Sequence, residues 1–138
     1  MEITTLGRTG LKVSRLGMGL AEIGRLSIQE VAEVEHLINS ALDSGINFLD
    51  TAACYGISEE LIGQTVSHRR TEYSLATKCG HVTGSSTGEA WTIKTITDSI
   101  DRSLERMNTD YLDLVQLHSC SIDILKNGEV IDAIVKAK

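Results

Sequence analysis

Proline is missing altogether from these 138 residues, although average usage of about 5% would supply several. Its absence removes the usual punctuation of turns and helix ends, so boundaries must be read from glycine and apolar periodicity. Cysteine is scarce. Cys54, Cys79 and Cys120 form an odd set at wide spacings, which excludes the dense, even pattern of a disulfide scaffold and points to reduced thiols. No apolar run reaches the roughly 18 residues of a membrane span, and no basic segment leads into an apolar stretch after Met1, as a secretion signal would. Lysine and arginine are scattered within a net charge of -6, so the basic stripe of a nucleic-acid binder is lacking. The expected compartment is the cytoplasm, with neither membrane nor nucleic acid as partner.

What remains is 41% hydrophobic, enough for one domain with a real core. Glu2–Leu6 and Leu11–Val13 flank a turn-rich Gly7–Gly10 and predict a β-hairpin over residues 2–13. Arg15–Leu20 reads as a strand. Ser27-Ile28-Gln29-Glu30 matches a capping box. Behind it Val31, Val34, Leu37, Ile38, Ala41 and Leu42 recur at helical spacing, with Gly45 as the closing residue. Ile46–Thr51 predicts a buried strand, and Ser58–Ile62 starts a short helix with acids in its first turn. Tyr73–Thr77 is another strand, and Gly80–Gly88 a glycine- and serine-rich loop. Ile93, Ile96, Ile100, Leu104 and Met107 mark a long helix, Tyr111–Leu117 a strand, and Val130–Val135 a further helix. After the hairpin, strand and helix alternate about four times with no linker, which predicts a parallel sheet covered by helices in one domain, 1–138.

That alternation suits either a doubly wound sheet or a (β/α) barrel. A dinucleotide-binding doubly wound fold needs Gly-x-Gly-x-x-Gly after its first strand. Gly17-Met18-Gly19 runs on into Leu20-Ala21-Glu22 without the third glycine in place, which favours the barrel.

Successive strands end near reactive residues: Asp50 closes one, Lys78 follows the next, His118 closes another, and Tyr55 lies in the loop after Asp50. In a parallel barrel all strand C-termini open on one face, so these four should meet there. A phenol is a weak acid at neutral pH; a nearby ammonium stabilises phenolate and makes proton donation to a carbonyl oxygen feasible. A buried lysine needs a counter-charge, which Asp50 can supply, and a neutral histidine can orient and polarise the same oxygen. Taken singly, Asp50 is more often a cap or turn former, Lys78 a solvated end, Tyr55 a loop aromatic and His118 a core histidine. Their joint placement is what carries the chemistry.

Two rival signals are weaker. The three cysteines, each just past a strand end, suggest a metal or redox site with His81 or His118, but no Cys-x-x-Cys pair accompanies them, and no metal is expected. The glycines of 80–88 lack the Gly-Lys-Ser/Thr ending of a phosphate-binding loop. Trp91, at the end of that loop, is read as its anchor rather than as the lining of a substrate mouth.

Asp50-Thr51-Ala52-Ala53-Cys54-Tyr55-Gly56 with Ser58–Gly63, Ala76-Thr77-Lys78, and Asp101–Arg106 with Asp110–Leu114 and Leu117-His118 closely resemble, in order, the motifs of the aldo-keto reductase family. The resemblance implies the N-terminal half of a TIM (β/α)8 barrel whose bottom is plugged by the hairpin. It implies NADPH-dependent reduction of aldehydes or ketones, or the reverse oxidation, with NADH as the other nicotinamide to consider. Tyr55 would be the general acid, Lys78 its activating ammonium, Asp50 the partner of Lys78, and His118 the carbonyl orienter. Gly19, Leu20 and Ala21, together with Asp50, would touch the cofactor near its nicotinamide. The family commonly has threonine and an aromatic where Leu20 and Ala21 stand, and often a proline after the histidine, where this chain has Ser119-Cys120-Ser121.

A complete barrel takes roughly 250 residues. The expectation is therefore a truncated portion with two open sheet edges, incomplete in activity alone and completed by a second chain or by self-association. The alternative reading is a non-catalytic subunit of the same fold that senses a nicotinamide nucleotide or serves assembly.

Overall fold

A computed structural model describes residues 1–84 and 87–138; part of the expected Gly80–Gly88 loop, residues 85 and 86, lies outside the described residues. Strands β1 (Ile3–Thr5) and β2 (Lys12–Ser14) pair antiparallel, Ile3 opposite Ser14. Asn47 ties this hairpin down. Its side-chain oxygen accepts from the Ser14 N–H at 2.6 Å, its amide donates to the Lys12 carbonyl at 3.0 Å, and its own N–H donates to the Ser14 hydroxyl at 3.0 Å. Because Asn47 immediately precedes a sheet strand, the hairpin sits at the N-terminal end of the sheet, leaving the other end free.

Four strands form that sheet: β3 (Met18–Gly19), β4 (Phe48–Asp50), β5 (Ser74–Cys79) and β6 (Leu114–Leu117). They lie in sequence order and every pair is parallel. A doubly wound sheet reverses its strand order at a switch point; this one does not, and it winds as a barrel does. The connecting helices are α1 (Val31–Asp43), α2 (Ser58–Val66) and α3 (Ile93–Arg106), with α4 (Ile122–Asn127) and α5 (Glu129–Lys136) after β6. Among the described residues β3 and β6 have no outer neighbour, and beside β6 a groove of about 550 Å³ is lined by Ile100, Leu104, Leu112, Val115 and Ile134 among others. No helix among the described residues is long and apolar enough to cross a membrane.

Helix α1 shows how the pattern works. Val34, Ile38 and Leu42 recur every four residues and are buried against Leu49, Leu61, Ile62 and Leu75 in the main core, each such side chain contributing about 1.5–3 kcal/mol by leaving water. Glu30 starts the helix, its carboxylate accepting from both the N–H and the hydroxyl of Ser27; Gly45, at φ 84°, ends it. Leu37 and Ile93, expected on buried faces, are 47% and 51% exposed: each stands at the margin of its apolar stripe, where no second layer covers it. The expected strand at Arg15–Leu20 contracts to two residues, and Tyr111–Leu117 contracts to four because Arg70 draws the backbone carbonyl of Tyr111 out of the ladder at 3.0 Å. Conversely, β5 runs on through Cys79, so Lys78 lies within the strand rather than after it.

Arg70 and Asp113 form a buried ion pair at 2.6 Å. Arg70 also donates to the Tyr73 carbonyl at 2.9 Å and to the Thr109 hydroxyl at 3.1 Å, while Asp113 accepts from the Leu75 N–H at 2.8 Å. With every group partnered, the pair fixes where β6 begins beside β5.

Candidate active site

Registers place the reactive residues. Gly19 pairs with Asp50, Asp50 with Ala76, and Lys78 with Gln116 two residues before His118. All therefore fall near the C-terminal edge, away from the hairpin. The Lys78 ammonium bonds the Asp50 carboxylate at 2.7 Å and the Thr51 carbonyl at 2.9 Å; the two side chains are 16% and 33% exposed. It also stands 5.1 Å from the centre of the Tyr55 ring, a distance at which a cation is attracted by the aromatic face. The Tyr55 and His118 rings meet edge to face with centres 5.7 Å apart. Carboxylate, ammonium, phenol and imidazole thus form one continuous cluster.

The loop carrying Tyr55 is pinned by a backbone crossing. Gly24 and Gly56 approach so closely that a side-chain carbon on Gly24 would lie 1.8 Å from the Tyr55 carbonyl oxygen, and one on Gly56 2.0 Å from the Gly24 carbonyl oxygen. Gly56 also takes φ 53°, a conformation that favours glycine. Beneath the loop Ser58, wholly buried, donates to the Leu20 carbonyl at 2.8 Å and shares a hydrogen bond with the Thr51 hydroxyl at 2.8 Å.

His118 is held by its backbone. Its N–H donates to the Cys79 carbonyl at 2.9 Å, and its carbonyl accepts from the Trp91 indole at 3.1 Å. Trp91 in turn packs on Gly80 and against the His81 ring, so it anchors the loop and the histidine together. Burial holds the His118 imidazole below its usual pKa, with help from the nearby His81 and Lys78 and against the pull of Asp50. The ring is therefore neutral at physiological pH.

Of the expected cofactor contacts, Gly19 lies exposed in register with Asp50, and Ala21 is half-buried just beyond. Both Gly19 and Asp50 line a cleft of about 480 Å³ that runs back to the hairpin. Leu20, also expected there, is 1% exposed: its side chain belongs to the core, and its N–H and carbonyl bond Asp50 and Ser58. An apolar residue flanked by two surface positions turns inward, so the Leu20 side chain braces this loop from the core side.

Two features escaped sequence reasoning. Glu59 is 1% exposed in spite of its charge; Thr77 and Ser103 donate to it at 2.7 Å each, and Arg106 lies 3.4 Å away. It bolts α2, β5 and α3 together under the site. Two adjacent acids at the helix start, Glu59 and Glu60, gave no sign of which one would be buried. The other is the 3.2 Å approach of the Cys54 sulfur to Nδ1 of His118. Cys79 is buried, which pushes its thiol up to about 11. Among the described residues no group of three or more His, Cys, Asp or Glu is arranged to hold a metal ion.

Comparison with known proteins supplies independent support. The Aldo/keto reductase family model matches residues 15–138. L-galactose dehydrogenase of Arabidopsis thaliana is 35% identical over 147 aligned positions, covering 100% of this chain and 45% of that protein. D-arabinose 1-dehydrogenase of Saccharomyces cerevisiae is 33% identical, covering 88% of the chain and 37% of that protein. The solved aldo-keto reductase AKR11C1 from Bacillus halodurans, in its holo form, superposes with a TM-score of 0.87 at 33% identity, over 99% of this chain and 46% of that one. The chain spans less than half the length of these relatives. Ordered parallel strands wound as the front part of a TIM barrel, the convergent quartet at their C-terminal ends and these matches agree: the chain belongs to the aldo/keto reductase family of oxidoreductases.

Proposed function

We propose that this chain supplies the carbonyl-reducing site of a nicotinamide-dependent oxidoreductase acting on aldehydes or ketones, or on alcohols in reverse. The observation that carries this reading is the contact chain Asp50–Lys78–Tyr55–His118, with distances of 2.7 Å, 5.1 Å and 5.7 Å. When bound, the cofactor supplies a hydride; NADPH is the proposed form, with NADH as the alternative. Gly19, Ala21 and Asp50 would meet its nicotinamide end, since Gly19 leaves open space where a side chain would stand and Asp50 borders the same cleft.

The chain's own residues handle the oxygen. Tyr55 donates a proton to it as negative charge develops. Lys78, ion-paired with Asp50 at 2.7 Å, places an ammonium beside the phenolate that donation leaves behind. His118, neutral and backbone-held, offers an N–H to the same oxygen and orients the carbonyl. Run in reverse, the Tyr55 phenolate takes the alcohol proton. A nucleotide-sensing or assembly subunit needs no such proton donor, and nothing in this geometry favours that role. The site is proposed to work in the cytoplasm, with its small-molecule substrate as its partner.

Tyr55→Phe tests the reading, because it removes one oxygen and keeps the ring. Turnover followed by NADPH absorbance should fall by about 10²- to 10⁴-fold, with nucleotide binding retained. Unchanged turnover would refute it.

A further inference from the structure

A neutral imidazole carries one N–H, and only a nitrogen that faces the substrate with its proton can polarise a carbonyl. In this chain Nδ1 of His118 lies 3.2 Å from the Cys54 sulfur, whereas Nε2 has no hydrogen-bond partner among the described residues. The other restraints on His118 act elsewhere. Trp91 and Cys79 hold its backbone, and Tyr55 and His81 meet the ring edge to face, with no hydrogen bond to either nitrogen.

The direction of the bond between Cys54 and Nδ1 follows from the chemistry of the two atoms. An unprotonated imidazole nitrogen is a good acceptor, and thiol sulfur is a poor one. A neutral histidine beside a neutral thiol is best satisfied with S–H donating to Nδ1, which leaves the ring proton on Nε2. Although Cys54 is exposed as a residue, partial covering of its sulfur pushes the thiol up, against the lowering effects of its backbone hydrogen bond and of Lys78. The group therefore keeps the proton this role needs, and it is a poor thiolate nucleophile.

We infer that Cys54 is a positioning residue for the carbonyl reduction proposed above: its thiol proton bonds Nδ1 of His118, fixes the Nε2–H tautomer and aims that N–H at the substrate oxygen. Cys54 touches neither substrate nor cofactor in this role; it acts through the imidazole.

The test is histidine-selective ¹⁵N labelling of the intact protein, with His118 assigned by its loss in His118→Gln. The wild type and Cys54→Ser should both show a single Nε2-protonated ring. Cys54→Ala should shift the signals toward exchange with the Nδ1-protonated form. In the turnover assay Cys54→Ala should lower kcat by about three- to tenfold, the effect of one lost hydrogen bond, and Cys54→Ser should recover to within about twofold. A wild-type ring protonated on Nδ1 or on both nitrogens, or a Cys54→Ala ring unchanged in tautomer, would overturn the inference. Because the ring signals need no turnover, they separate the two readings: an Nε2-protonated ring that depends on Cys54 upholds the thiol's hold on His118, whereas turnover unchanged in Tyr55→Phe refutes carbonyl reduction.

Discussion

Replacing Gly24 with alanine should displace Tyr55 without touching any reactive group. The new methyl would lie 1.8 Å from the Tyr55 carbonyl oxygen and 2.6 Å from its carbon, where real contacts do not fall below 3.0 Å. The obstacle is backbone, so no rotamer change relieves it; the two loops must part by about 1 Å or more to restore ordinary contact distances. That movement strains the bond from the Ile57 N–H to the Gly24 carbonyl, at 3.3 Å, and crowds Ser58, whose side chain also lies 3.3 Å from the added carbon. Overpacking of this kind costs about 1–3 kcal/mol, which in a chain of this length lowers Tm by roughly 3–10 °C. Activity should suffer more than stability, since the proposed proton donor, displaced by about 1 Å, can lose on the order of 10²-fold in rate. Thermal unfolding by circular dichroism and kcat from NADPH absorbance measure the two effects. Gly19→Ala serves as a stability control, because a methyl there meets nothing within 4 Å. A Gly24→Ala protein with unaltered Tm and kcat would show that the crossing does not hold Tyr55.

Arg70→Ala should destabilise the fold by about 3–5 kcal/mol in urea titration, because Asp113 is left largely buried without its cation; a loss under about 1 kcal/mol would contradict this account. Iodoacetamide should reach Cys79 only after unfolding, since Cys79 is 1% exposed and its thiol stands near 11; mass spectrometry of the labelled peptides reads this directly. For His118 the sign is fixed by its lowered pKa: the unfolded chain takes up the proton first, so this group's contribution to stability is lost as pH falls below the ordinary imidazole value of 6.5. The acid limb of kcat/KM should likewise lie below 6.5, and a limb above it would contradict a neutral ring.

The parts legible in the sequence were those written in local pattern. Val34, Ile38 and Leu42 announce α1 by spacing, and Gly45 announces its end; the motif around Asp50 and Tyr55 marks a strand end and the loop after it. Helix α4 went unread although its signals were present. Ser121 caps it by accepting from the Ile124 N–H at 3.4 Å, and Gly128 closes it at φ 84°. Its six residues were too few to show a period. The burial of the Leu20 side chain was not legible, because an apolar residue in a surface motif looks the same whether it faces solvent or the core. The burial of Glu59 and the pairing of Asp113 depend on partners 18 to 44 residues away, and no local pattern carries such information.

One physical distinction separates the structural charges from the reactive ones, and it holds across every buried pair described. Arg70 spends its donors on Thr109, Tyr73, Tyr111 and Asp113, and Asp113 takes the Leu75 N–H as well. Glu59 is bonded by two hydroxyls and approached by a guanidinium. These groups are closed: a ligand would gain little from them and the fold would lose much. At the strand ends the opposite holds. Lys78 uses two of its three N–H groups, and among the described residues the Tyr55 hydroxyl and Nε2 of His118 bond nothing. Each is fixed by its neighbours while keeping one polar atom unspent, and those atoms belong to side chains that touch one another. Desolvating such groups without a use for them would be a net cost; gathered at one rim, they form a site that a carbonyl oxygen can satisfy.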